Sequence, residues 1–193
     1  MEQTKSKRRL TALQLALCGL FTALVAIGAF IQIPVPYFDY FTLQFFFVLL
    51  SGMLLGKSYG ALSVGIYVLL GLAGVPIFAA GGGLGYVIRP SFGYLLGFIV
   101  AAFVTGFLAE RLKSKSFFSY LAAALGGFVV TYAIGLTYKY CILNFVSDTP
   151  ATWAMVFLSC FPLDMPGDLL LCAAAAFVGS RMNKALKGRL SSC

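Results

Sequence analysis

Histidine is absent from this chain of 193 residues. It is the commonest general base, proton relay and metal ligand of proteins near neutral pH, so its absence weighs against a catalytic or metal-centred protein. The five cysteines show no metal-type spacing, and we interpret them as small buried hydrophobic residues rather than disulfides. We expect no metal, no cofactor and no enzymatic activity, because we find no pair of nucleophile and base.

Charge is also scarce. Charged residues make up 10% of the chain and hydrophobic residues 61%, with a mean hydropathy of +0.95, whereas soluble domains are about a quarter charged. The apolar runs are continuous and longer than the roughly ten alternating residues of a membrane β-strand. The composition therefore predicts an all-α integral membrane protein.

The apolar runs predict six transmembrane helices, over residues 10–33, 40–55, 58–72, 91–110, 118–144 and 166–182. The second and third, joined at Gly56-Lys57, are shorter than the ~20 residues that a full crossing needs. We expect this hairpin to stop short of one surface and to leave room for a cavity. The chain is predicted to be a single membrane domain, a bundle over 10–182 with basic cytoplasmic tails at 1–9 and 183–193.

The distribution of cations predicts the orientation. Only Arg89 and Lys139 fall at the outer end if both termini are cytoplasmic, and the remaining twelve of the fourteen cations then face inward. Those twelve are Lys5, Lys7, Arg8, Arg9, Lys57, Arg111, Lys113, Lys115, Arg181, Lys184, Lys187 and Arg189. The positive-inside rule favours this arrangement strongly. The net charge of +8 is thus an orientation signal for a protein in membrane lipid, and it does not indicate nucleic-acid binding.

The two exceptional cations are candidates for a binding site. Lys139 lies near the end of the fifth helix, where it either extends toward the outer headgroups or faces a pocket and pairs with Asp168 or a ligand carboxylate. Arg89 follows the sequence GGGLGYVI, and either binds a lipid phosphate or presents its planar guanidinium to a carboxylate.

Acids at the outer end are the second set of candidates. Asp164 and Asp168 are four residues apart, so they share one face of the sixth helix. They either cap that helix or contribute to a ligand site, and two acids are more than capping requires. Asp39, Thr42 and Gln44 lie in the first outer loop.

The stretch Leu72 to Phe98 contains Gly81, Gly82 and Gly83, and it brings Tyr86 and Tyr94 to the same end of the bundle. The glycines form either a flexible loop or a close approach to a ligand. The tyrosines form either an interfacial aromatic belt or part of a site. Because apolar walls with a few polar groups are typical of small-molecule sites, we predict a ligand pocket near the extracellular face.

Three segments carry a resemblance to a known family, and they read IPVPYFDYFTLQ, GLAGVPIFAAGGGLGYVIRPSFGYLLGF and PGDLLL. They resemble the signature segments of the BioY family, the biotin-specific substrate-binding subunits of energy-coupling factor (ECF) transporters, and the likeness extends from about Leu10 to Met182. It implies a six-helix protein that captures biotin at the outer face of the cell membrane of a prokaryote. It also implies a transmembrane coupling subunit and two cytoplasmic ATPases as partners.

The resemblance implies roles for particular residues. Thr42, Leu43 and Gln44 match the end of the family's first loop, and Asp168 matches its Pro-Gly-Asp acid. Gly81 to Gly83, Pro90, Gly93 and Tyr94 match its third loop. Ala12 and Ala16 are similar to the family's small-residue motif for docking on the coupling subunit, and such spacing permits close helix approach.

One departure from the family pattern leads to a hypothesis. Leu171 stands where a lysine is usual, three residues after Asp168, and Arg89 and Phe92 stand where glycines are common. Because a buried aspartate without a cation is costly, we expect Lys139 or Arg89 to supply the missing charge. Lipoate or dethiobiotin fits the same chemistry as biotin, and a solitary facilitator remains an alternative to an ATP-driven transporter.

Overall fold

The computed structural model describes residues 12–33, 41–112, 116–147, 149–161 and 164–190. It contains six α-helices: α1 (Ala12–Phe30), α2 (Gln44–Leu72), α3 (Phe92–Arg111), α4 (Phe117–Phe145), α5 (Trp153–Cys160) and α6 (Asp164–Leu190). A 3₁₀ helix, Leu84–Ile88, lies between α2 and α3. The prediction of a helical membrane protein is confirmed. Among the described residues four helices are long and apolar enough to cross a membrane, and α5 with α6, bent by 50°, would make a fifth.

Helix α2 is a hairpin of two arms. Gly56 breaks it with φ 81° and ψ 175°, a conformation that glycine adopts without steric cost. A Cβ atom placed on Gly60 would lie 2.8 Å from the Cα atom of Gly52, although eight residues of continuous helix would separate them by about 12 Å. The arms therefore run back along each other, and the turn lies where the sequence predicted it.

Small residues let the helices approach closely. A Cβ atom on Gly52 would overlap the carbonyl oxygen of Ala102 in α3, and one on Gly97 would lie 3.0 Å from the carbonyl oxygen of Thr131 in α4. Backbone contacts of this kind replace the hydrophobic driving force that is missing between helices in lipid. Val48, Leu49 and Tyr67 of α2 are fully buried in the resulting core.

The two ends of the bundle differ in their charged residues and in the length of their connections. At the tip of the α2 hairpin, Glu110 of α3 accepts a 3.0 Å hydrogen bond from the backbone N–H of Lys57, whose Nζ lies 3.2 Å from the same carboxylate. Arg111 and Arg181 lie toward this end, at the last residue of α3 and in the second half of α6. The opposite end carries the connections that line a cavity.

That opposite end contains most of the differences from the predicted elements. Residues predicted at the edges of helices 1 and 2 instead form an antiparallel pair, β1 (Gln32–Ile33) with β2 (Phe41–Thr42). The predicted loop 145–163 contains α5, and the predicted glycine loop contains the 3₁₀ helix. Helix α6 begins at Asp164 rather than Pro166, because proline is tolerated in a first helical turn where no N–H partner is needed, and it continues past Met182.

Candidate ligand-binding site

A cavity of about 80 Å³ opens at the end of the bundle where α2, α3 and α6 begin and α4 ends. Its wall combines aromatic rings with a few polar groups, the composition expected of a small-molecule site. The lining residues are Phe41, Thr42, Gln44, Phe45, Ala79, Tyr86, Ser91, Tyr94, Leu95, Phe98, Tyr132, Lys139, Cys160, Asp164 and Asp168. The lining therefore comes from β2, from α2 to α6 and from the loop between α2 and α3.

Gln44 fixes the first side of the cavity. Its side chain is only 3% exposed, and Nε2 donates a 2.6 Å hydrogen bond to the hydroxyl oxygen of Tyr67. The Tyr67 hydroxyl donates in turn to the carbonyl oxygen of Ile77 at 3.1 Å. The Thr42 hydroxyl donates to Oε1 of Gln44 at 3.4 Å. This chain of bonds ties β2, both arms of α2 and the following loop into one rigid polar corner.

Two carboxylates form the opposite side. Asp164 is the first residue of α6 and Asp168 lies one turn later, so both project from one face into the cavity. The Tyr132 hydroxyl donates a 2.8 Å hydrogen bond to Oδ2 of Asp168. The Tyr132 ring packs against Phe128 at 4.6 Å and edge-on against Tyr94 at 5.8 Å. Two neighbouring rings thus hold the tyrosine that orients Asp168.

Lys139 projects into the same cavity. Lys139 is 8% exposed and lines the cavity, and its role in ligand binding stays a prediction. Nζ lies 3.9 Å from Sγ of Cys160 in α5, and the Tyr94 hydroxyl lies 3.0 Å from the same sulfur. Cys160 of α5 therefore contacts both Lys139 of α4 and Tyr94 of α3, in the cavity that Asp164 and Asp168 also line.

The glycine-rich stretch acts through its backbone. The N–H of Gly83 donates a 2.7 Å hydrogen bond to the carbonyl oxygen of Gly71, and the Phe78 and Gly81 backbones pair with each other. A Cβ atom on Gly82 would overlap the carbonyl oxygen of Val75. Within the described chain these three glycines do not line the cavity; they let the loop fold back so that Tyr86 and Ala79 do.

A tyrosine fastens the loop to α4. The Tyr138 hydroxyl donates a 2.6 Å hydrogen bond to the carbonyl oxygen of Val87. The Tyr138 ring lies edge-on to Phe92 at 5.9 Å, and Gly93 leaves space for its Cβ atom. The 3₁₀ helix is thus held beside the cavity by a hydrogen bond and by ring packing.

Three of the remaining predicted residues are described, and none of them is among the described lining residues of the cavity. Arg89 is exposed, with its guanidinium carbon 5.4 Å from the centre of the Tyr86 ring, and it is not among the described lining residues. Ala12 and Ala16 are exposed on α1. Asp39 lies outside the described residues. Since Lys139 and Asp168 share the cavity and Arg89 does not, the compensation hypothesis is retained for Lys139.

Several lining residues were not predicted from the sequence, although their helical spacing places them on the same side as residues that were predicted. Tyr132 lies seven residues before Lys139, two helical turns along the same face of α4. Ser91 and Phe98 lie three and four residues from Tyr94, on the same side of α3, and Leu95 follows Tyr94 directly. No comparable signal pointed to Cys160, because α5 itself was not predicted.

Comparisons with known proteins agree with this architecture. The BioY family matches residues 2–188. The probable biotin transporter BioY of Lysinibacillus sphaericus is 39% identical over 92% of this chain and 90% of its own. The biotin transporter BioY of Thermotoga maritima is 44% identical, over 89% and 96%. The crystal structure of the S-component for biotin from an ECF-type ABC transporter is similar with a TM-score of 0.79, 26% identity and 95% of each chain covered.

Proposed function

This chain belongs to the BioY family, and we propose that it is the biotin-binding subunit of an ECF-type vitamin uptake transporter in a prokaryotic cell membrane. The family is one of transporter components and not of enzymes. The observation that supports the proposal is the cavity, whose lining combines Lys139, Asp164 and Asp168 with aromatic side chains.

The chemistry of the cavity suits biotin. A carboxylate needs a cation, which Lys139 offers in place of the lysine that Leu171 replaces. The fused rings of biotin fit among Phe45 and Phe98, whose own rings stack at 5.8 Å. The ureido group requires both donors and acceptors. The side-chain amide of Gln44, at the polar corner, contains an NH₂ donor and a carbonyl acceptor.

Isothermal titration calorimetry on detergent-solubilised protein tests the ligand. We expect saturable binding of biotin, and weaker binding of lipoate and dethiobiotin. Tighter binding of lipoate would assign the cargo to that acid instead. An absence of heat with all three acids would rule out the proposal.

We propose a topology of six membrane crossings in which each arm of α2 counts as one, with both termini in the cytoplasm and the cavity near the extracellular face. The charge of the two ends supports it, since Lys57, Arg111 and Arg181 lie away from the cavity and Lys139 lies in it. In a background without the native cysteines, Ser58→Cys should react with an impermeant maleimide only from the cytoplasmic side. Ala73→Cys should react only from outside, and the reverse pattern would invert the topology.

We further propose that a transmembrane coupling subunit and two cytoplasmic ATPases are its partners. The similarity to the S-component of an ECF-type ABC transporter supports this, together with the exposed Ala12 and Ala16, whose spacing suits close helix contact. Co-purification of the chain with an ATPase pair distinguishes this proposal from a solitary facilitator.

A further inference from the structure

The described lining of the cavity contains more acidic than basic side chains. Among its described lining residues the charged ones are Asp164, Asp168 and Lys139, so two carboxylates share the space with one ammonium group. With all three ionised, these described lining residues carry a net charge of −1 before any ligand enters. Arg89, the other cation at this end, is exposed and not part of the described wall.

The other titratable groups that face the carboxylates do not change this balance. Tyr86 comes from the 3₁₀ helix, Tyr94 from α3, Tyr132 from α4 and Cys160 from α5. Cys172 lies one turn after Asp168 in α6 itself. These groups offer hydroxyl and thiol hydrogens rather than a second positive charge. Tyr132 already uses its hydroxyl hydrogen on Asp168.

An acidic ligand makes the excess larger. If the ligand carboxylate pairs with Lys139, three negative charges share the cavity with one positive charge. Like charges in one cavity repel each other, and the surrounding aromatic wall provides little solvation to weaken the repulsion. Carboxyl groups that share one site relieve such repulsion by holding a proton between them.

We infer that the protein binds its acidic ligand together with one proton, which is held by the Asp164–Asp168 pair or by the ligand carboxyl itself. The inference rests on the proposed function, because it requires the ligand to be an acid. The proton comes from solvent, and no covalent bond to the ligand forms. With this proton, the charge summed over Asp164, Asp168, Lys139 and the ligand carboxylate returns to −1.

The pH dependence follows from this proton count. Since the complex holds one more proton than the free cavity and free anion, biotin affinity falls as the pH rises, by about tenfold per pH unit. At low pH, where the free cavity already holds the proton, the affinity levels off. Biotinamide adds no negative charge, so the ratio of the biotinamide Kd to the biotin Kd should fall as the pH rises.

Calorimetry in paired buffers measures the proton directly. Biotin is titrated into the solubilised protein in phosphate and in imidazole buffer at pH 6, 7 and 8, and the dependence of the heat on buffer ionisation enthalpy gives the protons taken up. We expect uptake to approach one proton per biotin at pH 8, and to be near zero for biotinamide. Biotin binding with no uptake at pH 8 and a constant Kd ratio would overturn the inference and leave the proposed function standing. An absence of biotin binding at every pH would refute the proposed function itself.

Substitutions then locate the proton. Asp164→Asn and Asp168→Asn should each reduce the uptake at pH 8 by more than half, because one carboxylate balances Lys139. Glu110→Gln is the matched control, since Glu110 is an acid at the opposite end of the bundle, and it should leave the uptake unchanged. Undiminished uptake in both cavity variants would overturn the assignment to the pair. The buffer experiment on the unsubstituted protein remains decisive where a variant no longer binds.

Discussion

The hydroxyl group of Tyr132 donates a 2.8 Å hydrogen bond to Oδ2 of Asp168 and so joins the middle of α4 to the start of α6. Tyr132 is 5% exposed, and both residues line the cavity. The bond fixes the direction of the carboxylate before a ligand arrives. A polar group that is already fixed loses less conformational entropy when the ligand binds. The Tyr132–Asp168 hydrogen bond should therefore increase affinity even though the tyrosine hydroxyl does not contact the ligand.

Tyr132→Phe tests that contribution. The substitution keeps the ring packing and leaves a buried carboxylate oxygen without its donor, which costs about 1–3 kcal/mol. We expect biotin binding to weaken by about tenfold, as measured by calorimetry. Tyr59→Phe is the control, because it removes a hydroxyl bonded to Gln14 between α1 and α2. Equal Kd values in the two variants would show that Asp168 needs no orientation.

Lys139→Met removes the cavity cation while it keeps the apolar length of the side chain. A charge-assisted hydrogen bond to a buried acid contributes about 1.5–3 kcal/mol, so the biotin Kd should rise by roughly 10- to 150-fold. Arg89→Ala should have a smaller effect, since Arg89 is exposed. Lys57→Met at the opposite end is the control for the loss of a lysine. If neither Lys139→Met nor Arg89→Ala weakens binding, no compensation for Leu171 exists.

Gly82→Ala tests the backbone role of the glycine-rich loop. The new methyl group would overlap the carbonyl oxygen of Val75, so the loop must shift and carry Tyr86 with it. We expect weaker biotin binding and a lower Tm. Gly85→Ala in the same loop is matched, because its Cβ atom meets nothing within 4 Å and its φ is not positive. The same loss in both variants would point to loop flexibility rather than to the Val75 contact.

Gly56→Ala should destabilise the bundle without altering the cavity. The backbone of Gly56, with φ 81° and ψ 175°, lies in a region that costs an L-residue about 1–3 kcal/mol, and the new Cβ atom would lie 2.6 Å from Oε1 of Glu110. A lower Tm with an unchanged biotin Kd at low temperature is expected. Gly65→Ala, an open helical position, should keep or raise the Tm. Equal Tm values for the two variants would contradict the role of the turn.

Ala16→Leu tests the partner surface. Leucine at this exposed position keeps the helix but prevents a close approach of another helix to α1. Co-purification with the coupling subunit and ATPases should be lost, while biotin binding in detergent is retained. Ala174→Leu, an exposed alanine on α6, is the control. Retained co-purification in the Ala16→Leu variant would place the contact elsewhere.

The sequence by itself determined the class of the molecule, because hydropathy and the placement of cations depend on residue type alone. It also located the hairpin turn at Gly56, where only glycine adopts the backbone freely, and it singled out Lys139 and Asp168 as costly charges in apolar segments. Their membership of a ligand site stays a prediction until binding is measured.

Only the tertiary structure decided which of these groups meet. Arg89 and Lys139 are alike in sequence terms, but one is exposed beside Tyr86 and the other is buried in the cavity, since the direction of a side chain depends on how α3, α4 and α5 pack. The pair β1–β2 escaped prediction because strands of two residues are too short to show a periodic pattern. Helix α5 escaped prediction because its contacts, such as those of Cys160 with Tyr94 and Lys139, come from distant parts of the chain. Local sequence carries no record of such partners, and three-dimensional packing supplies them.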